Sequence, residues 1–181
     1  MDIKEILRSA LILALIGAVS GGSIGAAVRV TAPIIESRAS ERLNQSLRSI
    51  MPQGNSFEEL TLDDGTIYYR VYDNTELLGY VLRTVRMGYN PGIAVLTGFN
   101  LDGDILAVQV VAHEETATIG GRRVIDNVGF MNQFIGRTAG ENLVFGRDID
   151  SVSQATITAR GVHNAVNDAL QLFDVIHFGF R

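Results

Sequence analysis

Three hydroxyl side chains stand close together in the stretch DSVSQATITARGV, residues 150–162, which leads into the last apolar run of the chain. Ser153, Thr156 and Thr158 fit two interpretations. Ser and Thr hydroxyls commonly cap a helix by accepting hydrogen bonds from its first free N–H groups. The same N–H groups and the helix dipole also stabilise a phosphate, and a phosphoester needs only a hydroxyl from the protein. Arg160, one turn further on, would add a charge-assisted hydrogen bond.

A second loop whose residues could bind a ligand is HEETATIGG, residues 113–121. It follows an apolar run and ends with two glycines. Glycines let a backbone approach a ligand closely, and Thr116 and Thr118 can donate hydrogen bonds to it. Glu114 and Glu115 are adjacent, so on an extended chain their carboxylates point to opposite sides. This favours solvated loop charges over a shared acid–base or metal site.

The composition excludes several kinds of partner and cofactor. Acidic residues outnumber basic ones by 20 to 15, for a net charge of −5, so nucleic acid is not an expected partner. The chain has no cysteine, which rules out iron–sulfur clusters and thiolate zinc sites held by its own side chains. Its histidines, His113, His163 and His177, lack a metal-ligand spacing, and no metal site is predicted. Electron transfer would therefore require an organic cofactor.

The first thirty residues predict a membrane anchor. A tail over residues 1–8 precedes the run SALILALIGAVSGGSIGAAV, whose twenty residues carry no charge and are long enough to cross a hydrocarbon layer of about 30 Å. We place the transmembrane helix at 9–30. A cleaved signal peptide is the alternative, because Lys4 and Arg8 precede the run and small residues end it. Basic residues lie on both sides of the span, so charge alone does not assign its orientation.

Three glycines in this span, Gly17, Gly21 and Gly25, recur every fourth residue and share one stripe of the helix. Such a stripe allows another transmembrane helix to approach closely. The alternative is that glycine is simply common in membrane helices. We expect the stripe to be a packing face for another membrane subunit.

Beyond the anchor, residues 31–181 are predicted to form one α+β domain. An amphipathic helix after Pro33 should end at Pro52. Four runs rich in β-branched and aromatic residues predict an antiparallel sheet of at least four strands, and the Asp-Gly turn before the last run predicts a hairpin. A short helix within 124–138, a short strand within 141–152 and a long C-terminal helix complete the prediction. The four strands are expected at 66–72, 77–87, 92–100 and 104–113.

Taken together, these segments resemble a known family. The apolar helix followed by TAPIIE, the stretch GYNPGIAVLTGFNLDGDILAVQVVAHEETATIGG and the motif DSVSQATIT before the last helix occur in the order found in the G subunit of the Rnf electron-transport complex. That subunit is similar to the C subunit of the sodium-pumping NADH:quinone reductase. The resemblance implies an FMN-binding fold in which a separate flavin transferase joins the phosphate of FMN to a threonine.

The resemblance also assigns residues of the hydroxyl-rich motif. The family pattern is Asp-x-x-Ser/Thr-Gly-Ala-Thr, which places its aspartate at Asp150, its hydroxyl residue at Ser153, its alanine at Ala155 and the FMN acceptor at Thr156. Gln154 replaces the motif glycine. Of the other hydroxyls, Ser153 is expected to cap the helix. Thr158 is expected in its first turn, facing solvent or core.

In the second loop the family usually reads Glu-Thr-Pro-Gly-Leu-Gly, whereas this chain reads ETATIG, residues 115–120. Ala117 and Thr118 replace the proline and glycine. The resemblance implies that this loop lines the flavin. The residues assigned to flavin binding here are Glu115, Thr116, Ile119 and Gly120.

The resemblance implies a function that no single motif would give. The chain is expected to be a single-pass subunit in a bacterial inner membrane, with its FMN-binding domain on the periplasmic side. It would relay electrons between ferredoxin and NAD within a complex that moves Na⁺ or H⁺, as a carrier and not as an enzyme by itself. Its expected partners are the other subunits, a flavin transferase and membrane lipid. Two alternatives stay open: an assembly subunit without flavin, and a stand-alone anchored flavoprotein.

Overall fold

A computed structural model describes residues 3–88, 92–112 and 121–179 of the 181-residue chain. The chain divides into two compact units, Met1–Arg42 and Leu43–Arg181. The first helix, α1, runs from Ile3 to Ile50 without interruption. The prediction of separate helices before and after Pro33 is therefore wrong. A proline inside a helix removes one backbone hydrogen bond, yet the helix continues across it.

The first unit contains the apolar part of α1. Ala10–Ala32 has 23 residues and a mean hydropathy of 2.1, which makes it long and apolar enough to cross a membrane. The hydroxyl of Ser23 donates to the carbonyl of Val19 at 2.7 Å, and that of Thr31 donates to the carbonyl of Ala27 at 2.9 Å. These bonds satisfy both hydroxyls within the helix, as a hydrocarbon environment requires.

The second unit is built on a five-stranded antiparallel sheet in which the strands pair in the order of the sequence. This confirms the predicted antiparallel sheet. The first strand was not predicted, because its sequence SFEELT lacks a clear apolar alternation and it lies at the edge with mostly exposed side chains. The strands are β1 (Ser56–Thr61), β2 (Ile67–Asp73), β3 (Glu76–Arg86), β4 (Ile93–Asn100) and β5 (Ile105–Ala112).

Short helices and a long helix follow the sheet, and they bring the hydroxyl-rich motif to a helix start. These are α2 (Gly121–Ile125), α3 (Val128–Asn132) and α4 (Thr156–Phe178). The strand predicted within 141–152 is wrong, since this stretch forms turns with a single bridge between Phe145 and Ile149. The amide of Val144 donates to the Asp148 carboxylate at 2.7 Å, so a local side-chain bond takes a donor that a strand would use.

Both faces of the sheet are covered within the second unit. On one face, α4 buries Val162, Val166 and Leu170 in the same apolar cluster as Leu82 and Phe99. On the other face, the end of α1 packs against the sheet. Gly98 makes this possible, because a Cβ atom there would lie 2.2 Å from Ile50 Cγ2. The residues of this second cluster are Leu47, Ile50, Met51, Tyr69, Val71, Val81 and Leu96.

Two threonines on the α4 face of the sheet should respond oppositely to substitution. Thr97 is 0% exposed and its Oγ1 has no hydrogen-bond partner among the described residues, whereas Thr84 Oγ1 donates to the carbonyl of Ala165 at 2.9 Å. An unpaired buried hydroxyl costs free energy, and valine has nearly the same shape. We expect Thr97→Val to stabilise the domain by about 1 kcal/mol and Thr84→Val to destabilise it by about as much. Melting temperatures of the two variants check this, and a lower value for Thr97→Val would contradict it.

Tyr69, in the second cluster, should make the stability of the domain depend on pH at alkaline values. The Tyr69 hydroxyl donates to Glu59 Oε2 at 3.0 Å. Burial and then this hydrogen bond raise the pKa of Tyr69 to about 12, above the value near 10 of an unfolded tyrosine. The folded state therefore holds this proton more tightly. The stabilisation that this raised pKa gives to the folded state is complete below about pH 10 and is lost as the pH rises towards 12. We expect Tyr69→Phe to flatten the fall in melting temperature over this range, and an unchanged slope would contradict the assignment.

Candidate functional site

The proposed acceptor hydroxyl lies at the first residue of α4. Thr156 is exposed, while Ala155 before it occupies the N-cap position and is buried. The Ala155 amide donates to the carbonyl of Val152 at 3.1 Å, and the Ala155 carbonyl accepts from Ala159 at 2.9 Å. The prediction that Ser153 caps this helix is therefore wrong. Thr158 lies in the first turn of α4, as predicted, and it is buried in the core.

The backbone just before Thr156 has an unusual conformation. Gln154 has a φ of +64°, in the left-handed region that glycine adopts without strain. This is the position at which the family motif has glycine, so Gln154 takes the conformation in its place. Its side chain accepts a hydrogen bond from Arg123 of α2, with 2.9 Å between Nη1 and Oε1.

Two other residues of the motif, Asp150 and Ser151, form contacts of their own. The amide of Asp150 donates to Oε1 of Gln133 at 2.6 Å, which ties the start of the motif to the end of α3. The hydroxyl of Ser151 lies 3.3 Å from that of Thr156. Sequence reasoning did not single out Ser151, because it stands at an unspecified position of the motif. Only the turn into α4 brings its hydroxyl close to that of Thr156.

A surface hollow of about 350 Å³ opens beside Thr156. Met87 and Ile157 contribute exposed apolar side chains to it, 70% and 56% accessible respectively. Arg160, one turn after Thr156, adds a positive charge, and its guanidinium carbon lies 5.3 Å from the centre of the Phe145 ring. The hollow is lined by Met87, Thr156, Ile157, Arg160, Gly161 and Asn164.

The close approach of α4 to the end of β3 shapes this hollow. A Cβ atom on Gly161 would lie 2.7 Å from the carbonyl oxygen of Met87, so only glycine fits there. The lining combines a hydroxyl, a cation and apolar side chains. These are the groups that would hold a phosphate and an aromatic ring, and they therefore fit FMN.

The remaining residues assigned to flavin binding, Glu115, Thr116, Ile119 and Gly120, lie outside the described residues. Over residues 3–88, 92–112 and 121–179, no group of three or more His, Asp or Glu side chains could hold a metal ion. His163 has a structural environment instead, since it is buried and its Nε2 lies 3.0 Å from the carbonyl of Leu143.

Comparison with known proteins identifies the domain. Residues 88–171 match the FMN-binding domain family, and this range contains both loops singled out in the sequence. The fold is therefore the expected α+β fold with an FMN-binding domain. The crystal structure of NqrC from Shewanella oneidensis superposes with a TM-score of 0.50 at 20% identity, covering 71% of each chain, which shows a shared fold.

Relatives align over nearly the whole chain. The G subunit of an ion-translocating oxidoreductase complex from Cereibacter sphaeroides is 31% identical over 93% of this chain and 84% of its own length. The protein of the same name from Methanosarcina acetivorans is 27% identical, covering 93% and 95%. The G subunit of the Na⁺-translocating ferredoxin:NAD⁺ oxidoreductase complex of Acetobacterium woodii is 27% identical, covering 96% and 94%. The match thus includes the N-terminal helix as well as the domain.

Proposed function

Because the chain belongs to the family formed by the G subunits of ion-translocating oxidoreductase complexes, and is thus a membrane-anchored electron-transfer protein that uses FMN, we propose that its FMN is joined through the phosphate to Thr156 Oγ1. The observation that carries the proposal is the position of this hydroxyl. It is exposed at the first residue of α4, on the rim of a hollow that also contains Arg160. Free N–H groups at a helix start and a nearby guanidinium both favour a phosphate.

The chain's own residues would hold and orient the cofactor. Arg160 and the first-turn N–H groups would bind the phosphate, and Met87 and Ile157 would cover part of the ring. FMN supplies the one- and two-electron chemistry that no side chain here provides. A flavin transferase is needed to form the phosphoester: the Thr156 hydroxyl loses its proton and attacks the FMN phosphorus of a flavin dinucleotide, the phosphoanhydride bond breaks, and a nucleoside monophosphate leaves. Glu115, Thr116, Ile119 and Gly120 are further flavin contacts in this proposal.

The proposed partners follow from the relatives. The chain would work within a complex that passes electrons between ferredoxin and NAD and moves Na⁺ or H⁺ across the membrane. Its apolar helix would cross a bacterial inner membrane once, with the domain on the periplasmic side. The stripe of Gly17, Gly21 and Gly25 would contact another membrane subunit, since small residues let helices approach closely and no described residue of this chain covers the stripe.

Purification in mild detergent tests this function against its alternatives. A tagged chain isolated from its native membranes should show flavin fluorescence at its own mass on a denaturing gel and should bring several other membrane proteins with it. A fluorescent chain that purifies alone would support a stand-alone flavoprotein. A complex that contains the chain without flavin would support an assembly subunit and contradict the proposal.

A further inference from the structure

The hydrogen bond between Arg123 and Gln154 joins α2 to the loop that carries the acceptor. We propose that these two residues form a clamp that holds the loop in the conformation needed to present Thr156. The inference rests on the proposed function, because it concerns how the flavin attachment site is positioned. Arg123 is a positioning residue in this sense, acting on Thr156 through Gln154.

The conformation of Gln154 calls for such a partner. Among the described residues other than glycine, a positive φ occurs only at Asn74 and Gln154. Asparagine is enriched in this region because its short amide bonds to the local backbone, but glutamine has no such advantage. A non-glycine residue remains there only when its surroundings hold it. The guanidinium of Arg123 restrains the Gln154 side chain through their hydrogen bond.

Both ends of the clamp are anchored in the core. Val124, next to Arg123, is 0% exposed and lies in the same apolar cluster as Ala155, next to Gln154. The clamp therefore connects two backbone segments that are fixed on either side of it. Movement of the Gln154 backbone out of the left-handed region would change the direction in which the chain enters α4.

Only Ala155 separates Gln154 from Thr156, so the backbone conformation at residue 154 affects how the Thr156 hydroxyl is presented. A glycine at this position would adopt the same φ without help. The dependence on Arg123 should therefore exist only while residue 154 is glutamine. This conditional dependence distinguishes a positioning role from direct binding of the flavin phosphate by Arg123.

A double-mutant cycle on the full-length chain in detergent tests the clamp, using wild type, Arg123→Ala, Gln154→Gly and the double variant. The first readout is hydrogen exchange of the amides of residues 151–157 before any flavin is attached. The second is the initial rate of FMN attachment by a flavin transferase. We expect Arg123→Ala to speed exchange and slow attachment, each about fivefold, when residue 154 is glutamine. We expect no effect of Arg123→Ala in the Gln154→Gly background, and partial rescue by Arg123→Lys, which keeps a cationic donor group on a shorter side chain.

Equal effects of Arg123→Ala in both backgrounds, or no effect in either, would overturn the clamp. Equal losses in melting temperature in both backgrounds would also overturn it, since they would indicate a general structural role. If wild type accepts no flavin, the proposed function fails by itself. The exchange readout then still decides whether the clamp holds the loop.

Discussion

Substitution of Thr156 by alanine is expected to abolish covalent attachment of FMN while leaving the domain folded. The variant lacks the only oxygen through which the phosphoester can form at this position. The side chain is exposed at the start of α4, so the cost to folding should stay within about 0.5 kcal/mol. Fluorescence of the denatured band after co-expression with a flavin transferase measures the loss.

The matched controls are Thr156→Ser, Ser151→Ala and Ser153→Ala. Thr156→Ser keeps a hydroxyl at the same position and should retain some attachment. Ser151→Ala removes the hydroxyl 3.3 Å from the acceptor, and Ser153→Ala removes the hydroxyl residue of the family motif; both variants should still be flavinylated. Undiminished fluorescence in Thr156→Ala would show that another residue carries the flavin.

Truncation of Leu47 to alanine should strongly destabilise the domain. Leu47 lies near the end of α1, is 1% exposed and packs in the cluster on the face of the sheet opposite α4. Removing a buried leucine side chain costs about 2–5 kcal/mol, because burial is lost and a cavity forms. We expect a loss of about 3 kcal/mol, which lowers the melting temperature by about 10 °C for a domain of this size.

Arg48→Ala is the control for this prediction, since Arg48 is the exposed neighbour on the same turn of α1. Its effect should stay within about 0.5 kcal/mol. Near-ultraviolet circular dichroism of the five tyrosines follows unfolding, because the chain has no tryptophan. A Leu47→Ala variant as stable as wild type would mean that the end of α1 does not belong to the folded core.

Strong periodic patterns predicted most of the fold correctly. Runs rich in β-branched and aromatic residues predict β2–β5, and the apolar face of α4 predicts a helix that packs on the core. The edge strand β1 gave no such signal, because only its second and fifth residues are partly buried. In residues 141–152 the composition resembled a strand, yet the Asp148 side chain and a turn at Gly146 compete for the backbone donors.

The candidate site was predictable in part. The motif singles out Thr156 as the proposed attachment site, because its residue types follow one another in sequence. Arg123 could not be found that way, since it lies 31 residues from Gln154 and meets it only through the packing of α2. The left-handed backbone conformation of Gln154 could not be predicted either, because glutamine has no intrinsic preference for it. Residues that are far apart in sequence and meet only in the folded chain therefore cannot be paired from the sequence alone.

Mapping the flavin to a residue tests the central claim most directly. The chain is isolated from its native membranes, digested, and the peptide containing residues 150–160 is fragmented in a mass spectrometer. We predict an added mass equal to FMN less one water, with fragments that place it on Thr156. An unmodified peptide in a complex that otherwise contains all its subunits, or the added mass on Ser151 or Ser153, would contradict the claim.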